Sequence, residues 1–322
     1  MRLVISLATR GRPQQLLETI RRSIKNLRDP NTLLMVQIDE DDSSTVEAFN
    51  AAISDGSFDD RVAGDICASV APREDTIAAK WNRARAIPAD LYLIAADDDP
   101  YITPGYDAKL LEAAARFPDG IGMVYGHMAN LSFSGVLAPT AKFAEKLGHI
   151  VPQHFPYWFC DHWIDDICRH IGRVSFADVR TDQSAAGKTQ ELREPGWWGT
   201  WFDAAYLMRR KIVHDIIRSE DFHAPAEWKD MILTLPPAVA GARIDNWSRY
   251  CVNEGLRQNN HRYEEHSALA AKDERYQRVK QKAIDMIPHL LDDYGMDRNE
   301  AAHFRNALIP PTQVMGLKKA FA

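Results

Sequence analysis

Over the first 126 residues, apolar runs too short for helices alternate with segments whose apolar positions recur every three or four residues. That alternation predicts a mostly parallel sheet covered by helices. Leu3 to Ala8 reads as a strand. Pro13 then opens a helix in which Leu16, Leu17, Ile20, Ile24 and Leu27 share one face and Arg21, Arg22 and Lys25 turn away. Leu33 to Ile38 predicts a second strand, and the acidic and hydroxyl residues from Asp39 to Ser44 can cap a helix holding Val46, Phe49 and Ile53. A third strand is expected from Ile66 to Val70, a helix around Ile77, Trp81 and Ala84, a fourth strand from Leu91 to Ala96 and a fifth near Gly122 to Tyr125.

The pattern is less regular afterwards, until an aromatic and acidic block from Pro156 to Asp166. The polar stretch Arg180 to Glu194 predicts a mobile loop. From Trp201 onward helices are expected: Ala205, Met208, Ile212 and Ile216 keep helical spacing, and Gln277 to Tyr294 is helical in composition, with Pro288 as a kink. The predicted fold class is α/β, Rossmann-like, with a mostly parallel sheet flanked by helices and a helical C-terminal extension. Three regions follow: 1–126, 127–195 and 196–322.

Composition narrows the function classes. The chain is 45% hydrophobic and 26% charged with 17 Gly and 17 Pro among 322 residues, which is globular rather than fibrous or disordered. With 39 Lys and Arg against 45 Asp and Glu, the net charge of -6 gives no general pull toward nucleic acid or an anionic membrane. The longest stretch without charge, Gly120 to Ala141, is interrupted by Gly and Pro, so no transmembrane helix is predicted. Met1 to Ile5 leads directly into a strand without a signal-length apolar run, and a cytoplasmic location is the expectation. Cys67, Cys160, Cys168 and Cys251 lack metal-ligand spacing and are expected to be buried thiols.

The candidate chemistry lies where the strands end. In parallel sheets ligands bind at the carboxyl ends of strands, where loops converge and helix N-termini point free N–H groups. Thr9-Arg10-Gly11-Arg12 follows the first strand, Asp39 to Ser44 the second, and Asp97-Asp98-Asp99 the fourth. If the triplet is extended, Asp97 and Asp99 face one side together. Hard oxygen ligands of that kind suit Mg2+ or Mn2+, which take one or two carboxylates and complete their shell with water and substrate phosphates. The plain alternative is a solvated acidic turn that leads into the next helix through Asp107.

These residues resemble the nucleotide-sugar domain of the GT-A fold glycosyltransferases, in particular the inverting family-two type. Leu3 to Pro13 is similar to that family's opening strand and Pro-Thr-Tyr/Arg-Asn-Arg loop, Val36 to Ser44 to its Val-Asp-Asp-Gly-Ser-Thr segment, and Asp97 to Asp99 to its Asp-X-Asp metal motif. The resemblance implies that Thr9, Arg10 and Arg12 border the nucleotide and that Asp39 or Asp41 accepts a hydrogen bond from uracil. It further implies that Asp97 and Asp98 meet ribose or sugar hydroxyls and that Asp99, with Asp97, holds Mn2+ or Mg2+ against the diphosphate. Ala8 stands in place of a proline, and Trp81-Asn82 in place of Arg-Asn, so Lys80 and Asn82 are the donor-side candidates there. Pro156 to Arg169 resembles the family's acidic motif on the acceptor side, which makes Asp161 the candidate general base and Asp165 its rival. The plain alternative for Asp161 is a helix cap.

Three weaker features are set aside. Ala185 to Thr189 has the end of a P-loop without its first glycine or a preceding strand. Gly196 to Trp201 could stack on a sugar, although tryptophans near a helix start are more often core. His162, His214 and His223 carry no ligand spacing. The function expected is metal-dependent transfer of a sugar from a nucleoside-diphosphate sugar to a glycan, lipid-linked or other hydroxyl acceptor, with inversion. The alternatives are a sugar-phosphate nucleotidyltransferase and a binding module without catalysis. The helical C-terminal third is expected to build the acceptor side or a homo-oligomer contact.

Overall fold

The computed structural model describes residues 1–60, 63–127, 136–157, 159–182, 194–234 and 270–309. The chain divides into two compact units: Met1–Gln153 with Cys168–Lys188 and Glu220–His223, and His154–Ile167 with Thr189–Ser219 and Ala224–Ala322.

The first unit carries a seven-stranded sheet built from β1 (Leu3–Ala8), β2 (Leu33–Asp39), β3 (Asp65–Ala71), β4 (Leu91–Ala96), β5 (Met123–Tyr125), β6 (Leu137–Pro139) and β7 (Val174–Phe176). Their order is β3-β2-β1-β4-β6-β5-β7. β1 pairs in parallel with β2 and β4, β2 with β3, and β5 with β7, while β6 runs antiparallel to β4 and β5. The expected mostly parallel sheet is therefore present.

Central position explains the apolar runs. All six residues of β1 and all seven of β2 are buried, as expected for strands covered on both faces. Besides Asp39 at the end of β2, Ser6 and Gln37 are the polar exceptions: the Ser6 hydroxyl donates to Trp81 O at 3.0 Å and accepts from Gln37 Nε2 at 3.2 Å. The helices that cover these strands are α1 (Pro13–Ile24), α2 (Ser43–Ser54), α3 (Ile77–Asn82), α4 (Tyr106–Ala114) and α5 (Ala141–Leu147). On the predicted face of α1, Leu16, Ile20 and Ile24 are completely buried, each contributing about 1.5–3 kcal/mol relative to exposure. At the start of α4, Asp107 is fully buried and accepts hydrogen bonds from Arg28 N at 2.9 Å, Asp29 N at 2.7 Å and Thr32 Oγ1 at 3.2 Å. It fixes the turn that delivers the chain into β2.

α6 (Cys160–His170) contributes its first residues to the second unit, which otherwise holds α7 (Pro195–Ala204), α8 (Tyr206–Arg218), α9 (Ala226–Thr234), α10 (Glu274–Asp292) and α11 (Arg298–Leu308). Aromatic packing dominates it. Trp163, Trp198, Trp201 and Phe202 are fully buried, and the rings of Phe155 and Trp201 meet edge-on at 5.1 Å. The indole N–H groups find acceptors: Trp198 Nε1 donates to Tyr276 Oη at 3.1 Å and Trp201 Nε1 to Ala283 O at 3.0 Å. Trp198 and Trp201 thus serve as core. Pro288 lies inside α10. Cys160 and Cys168 are buried, Cys67 half-buried. Most of the predicted Arg180 to Glu194 loop, the Ala185 to Thr189 segment, Cys251 and the tail from residue 310 lie outside the described residues.

Replacing Asp107 by Ala strands two backbone donors and a hydroxyl in a buried position. A loss of about 3 kcal/mol is expected, read as a lowered urea midpoint, since hydrogen bonds to a charged group contribute about 1.5–3 kcal/mol and the orphaned donors add their desolvation.

Candidate functional site

The loops that follow β1, β2 and β4 close on one another at the carboxyl edge of the sheet. The β1 loop is the hinge of this arrangement. Gly11, at φ +64, takes the left-handed conformation that spares a side chain's strain and points its N–H to Asp42 Oδ2 at 2.7 Å. Either side of it, Arg10 reaches toward the β2 loop and Arg12 toward the β4 loop.

On the β2 side, Asp39 is only 1% exposed, and three cations surround it. Lys80 Nζ donates to Asp39 Oδ2 at 2.7 Å and to Thr9 O at 2.9 Å, so one ammonium ties two strand ends together. Arg10 Nη1 reaches Asp39 Oδ2 at 3.0 Å, and Arg83 Nη2 lies 3.5 Å from Oδ1. Burial pulls the Lys80 ammonium below its usual pKa in spite of Asp39. Asp41, further out, takes both prongs of Arg10 at 2.6 and 3.0 Å.

On the β4 side the chain turns at Asp97 and Asp98 instead of continuing extended, so the alternation expected for Asp97 and Asp99 does not apply. Asp97 is fully buried, accepts the Thr9 hydroxyl at 2.6 Å and is ion-paired with Arg12. Its own carbonyl accepts from Thr19 Oγ1 at 2.6 Å. Arg12 Nη1 also reaches Asp98 Oδ2 at 3.2 Å. Burial raises the Asp97 pKa above the usual carboxylate value, outweighing Thr9 and Arg12.

Thr9, Arg10, Arg12, Asp39, Asp41, Lys80, Asp97 and Asp98 are thus assembled into one network. Asn82 is turned elsewhere: its amide donates to Ala78 O and Val151 O at 2.9 and 2.7 Å and accepts from Ile150 N and Val151 N at 2.6 and 3.2 Å. It fastens residues 150 and 151 to α3. Arg83, Thr19 and Asp42 complete the network without having been singled out in the sequence. Arg83 had a signal, being three residues beyond Lys80 and hence on the same helical face. Thr19 had another, a hydroxyl three residues beyond Leu16 on the apolar face of α1.

Mg2+ and Mn2+ need only one or two carboxylates when substrate phosphates supply the remaining oxygens. Asp97 is committed to Thr9 and Arg12, and Asp99, two residues on, is half-buried. Among the described residues no group of three or more His, Cys, Asp or Glu could hold a metal ion.

Asp161 and Asp165 belong to the second unit. Asp161 Oδ1 accepts from His162 N at 2.8 Å and pairs with His162 Nδ1 at 2.7 Å. Burial works to raise its pKa, but these His162 contacts outweigh it and hold the carboxyl below the usual range. The side chain of Asp161 is 33% exposed, whereas Asp165 is buried. Immediately before α6, Phe159 holds φ +70, an uncommon value for a residue with a side chain.

No protein-family model matches the sequence, and no curated protein matches it. Several of its structural neighbours are glycosyltransferases. One is the mannosyltransferase PcManGT from Pyrobaculum calidifontis, solved with GDP-Man and Mn2+, at 14% identity and a TM-score of 0.47 over 95% of this chain and 85% of that one. Another is TarS 1-349 from S. aureus, solved with UDP-GlcNAc, at 10% identity and a TM-score of 0.44 over 88% and 92% of the two chains. A cytidylyltransferase from Leptospira borgpetersenii is similar at 12% identity, with a TM-score of 0.34 over 74% and 96%.

The raised pKa of Asp97 has a measurable sign. A carboxyl that keeps its proton longer in the folded state than in the unfolded state loses stability as pH rises from the ordinary Asp value of about 3.9 through the folded value. Asp97→Asn removes that loss. Its stability relative to the unaltered chain is expected to rise between pH 4 and pH 7 in paired urea titrations; a relative stability that falls over the same window contradicts the assignment.

Proposed function

We propose that the chain is a metal-dependent glycosyltransferase that moves a sugar from a UDP-sugar to an acceptor hydroxyl with inversion. The convergence of the β1, β2 and β4 loops into one network of arginines, lysine and carboxylates at the ligand-binding edge of a parallel sheet carries this reading. Thr9, Arg10, Arg12 and Lys80 supply or orient donors toward the nucleotide and its diphosphate. Asp98 is the hydroxyl-facing carboxylate, and Asp97 holds Thr9 and Arg12 in place behind it. Asn82 supports the site through the backbone of residues 150 and 151.

Of the two carboxylates considered for the uracil N3–H, Asp41 is 47% exposed and Asp39 is buried under three cations, so the role falls to Asp41. Asp99 would hold Mn2+ or Mg2+, which when bound neutralises charge on the departing diphosphate. Asp161 is the general base. Its lowered pKa keeps it ionised at neutral pH, ready to take the acceptor hydroxyl's proton as that oxygen attacks the face of the sugar opposite the diphosphate.

Binding is tested by thermal shift with UDP-sugars and GDP-sugars, with and without Mn2+. A ligand present at 100 times its Kd stabilises by about 2.7 kcal/mol, so a UDP-sugar with Mn2+ is expected to raise Tm by several degrees. Asp99→Asn should lose the Mn2+-dependent part, and GDP should bind more weakly than UDP. Equal or tighter binding of GDP rejects the base assignment. Release of UDP from the bound donor identifies a transferase, release of pyrophosphate from a sugar phosphate and a nucleoside triphosphate a nucleotidyltransferase, and return of intact ligand a binding module.

For the base, Asp161→Asn is expected to lower donor turnover by about 10² to 10⁴ while donor affinity is retained. Asparagine caps a helix as well as aspartate does, so a purely structural role predicts no such loss. Near-normal turnover in Asp161→Asn with a loss in Asp165→Asn moves the base one helical turn along α6.

A further inference from the structure

The guanidinium fork of Arg10 is filled from within the protein. Its Nη1 and Nη2 meet the two oxygens of Asp41 at 2.6 and 3.0 Å, the two-pronged geometry that arginine offers to carboxylate and phosphate alike. From the buried side, Asp39 meets Nη1 at 3.0 Å, and Lys80 holds Asp39 in turn. The fork is therefore aimed by a partner that is itself fixed. The outer pair is different: Arg10 and Asp41 are 35% and 47% exposed. A second cation, Arg73 Nη1, stands 3.9 Å from Asp41 Oδ2.

We infer that the Arg10 fork, with Arg73 beside it, is a diphosphate seat, that Asp41 fills it before a ligand arrives, and that the diphosphate binds by displacing Asp41. Identifying the incoming group as part of a nucleotide sugar rests on the function proposed above; the anion seat itself does not. Asp39 is enclosed by three cations and cannot give way. Asp41, on the exposed turn, can. The exchange also explains how one carboxylate serves two purposes, because Asp41 released from the fork becomes free to accept a base N–H. An occupied fork also rejects weak anions, since any ligand must outcompete a tethered carboxylate. A diphosphate, carrying charge on two centres for two arginines, meets that requirement.

Inorganic pyrophosphate in metal-free buffer is the probe, followed by titration calorimetry. Asp41→Asn is expected to bind pyrophosphate about tenfold tighter than the unaltered chain, equivalent to about 1.4 kcal/mol. Glu40→Gln removes the same charge from the neighbouring exposed residue without touching the fork. A gain below about twofold is expected there, as for a surface charge largely screened by salt. Arg10→Gln in the Asp41→Asn background should abolish the gain. Equal gains in Glu40→Gln and Asp41→Asn would reduce the effect to net charge and overturn the inference. So would an unchanged or weaker affinity in Asp41→Asn, or no measurable binding by that variant. A pyrophosphate gain without stabilisation by any nucleotide sugar would reject the donor assignment and leave the seat standing.

Discussion

Two buried carboxylates, Asp39 and Asp97, govern the carboxyl edge of the sheet. A buried charge is costly unless it is paired and hydrogen-bonded, and each is satisfied by the loop after β1: Asp39 by Arg10 and by the Lys80 that also grips Thr9, Asp97 by Thr9 and Arg12. The loop has no independent reason to adopt its path. It is shaped by two anions on neighbouring strands that demand its donors, with Gly11 supplying the backbone turn between them. Removing either carboxylate therefore loosens the geometry of side chains that do not touch it directly.

The strands that form this edge were legible because they are central. Burial on both faces makes β1, β2 and β4 largely apolar, interrupted before their ends only by Ser6 and Gln37, and the charged residues begin where the strands end. The short strands β6 and β7 were not legible. Each has three residues, too few to show a period, and they exist because β5 offers them an edge to pair with. The tryptophans near the start of α7 were read as core over sugar platform, and three indole N–H groups bonded to Leu308 O, Tyr276 Oη and Ala283 O fit that choice.

Within the site, residue types were readable and their pairing was not. Arginine, threonine and aspartate at strand ends announced a polar cluster. Which carboxylate lay inside and which outside depended on the turn at Asp97, which a local alternation rule misses, and on the burial of Lys80, which no periodicity reveals. Asn82 illustrates the same limit: one step from Trp81 in sequence, it spends its whole amide on backbone.

The pairwise matching of charge bears on how a ligand arrives. Arg10, Arg12, Lys80 and Arg83 stand against Asp39, Asp41, Asp97 and Asp98, so their fields cancel within about a Debye length, roughly 8 Å at physiological salt. The chain as a whole carries a net charge of -6. An anionic ligand is thus not drawn in from a distance as it would be by a basic groove. Its encounter rate should change little with ionic strength. Discrimination is left to what happens after contact, in the lifetime of the bound state.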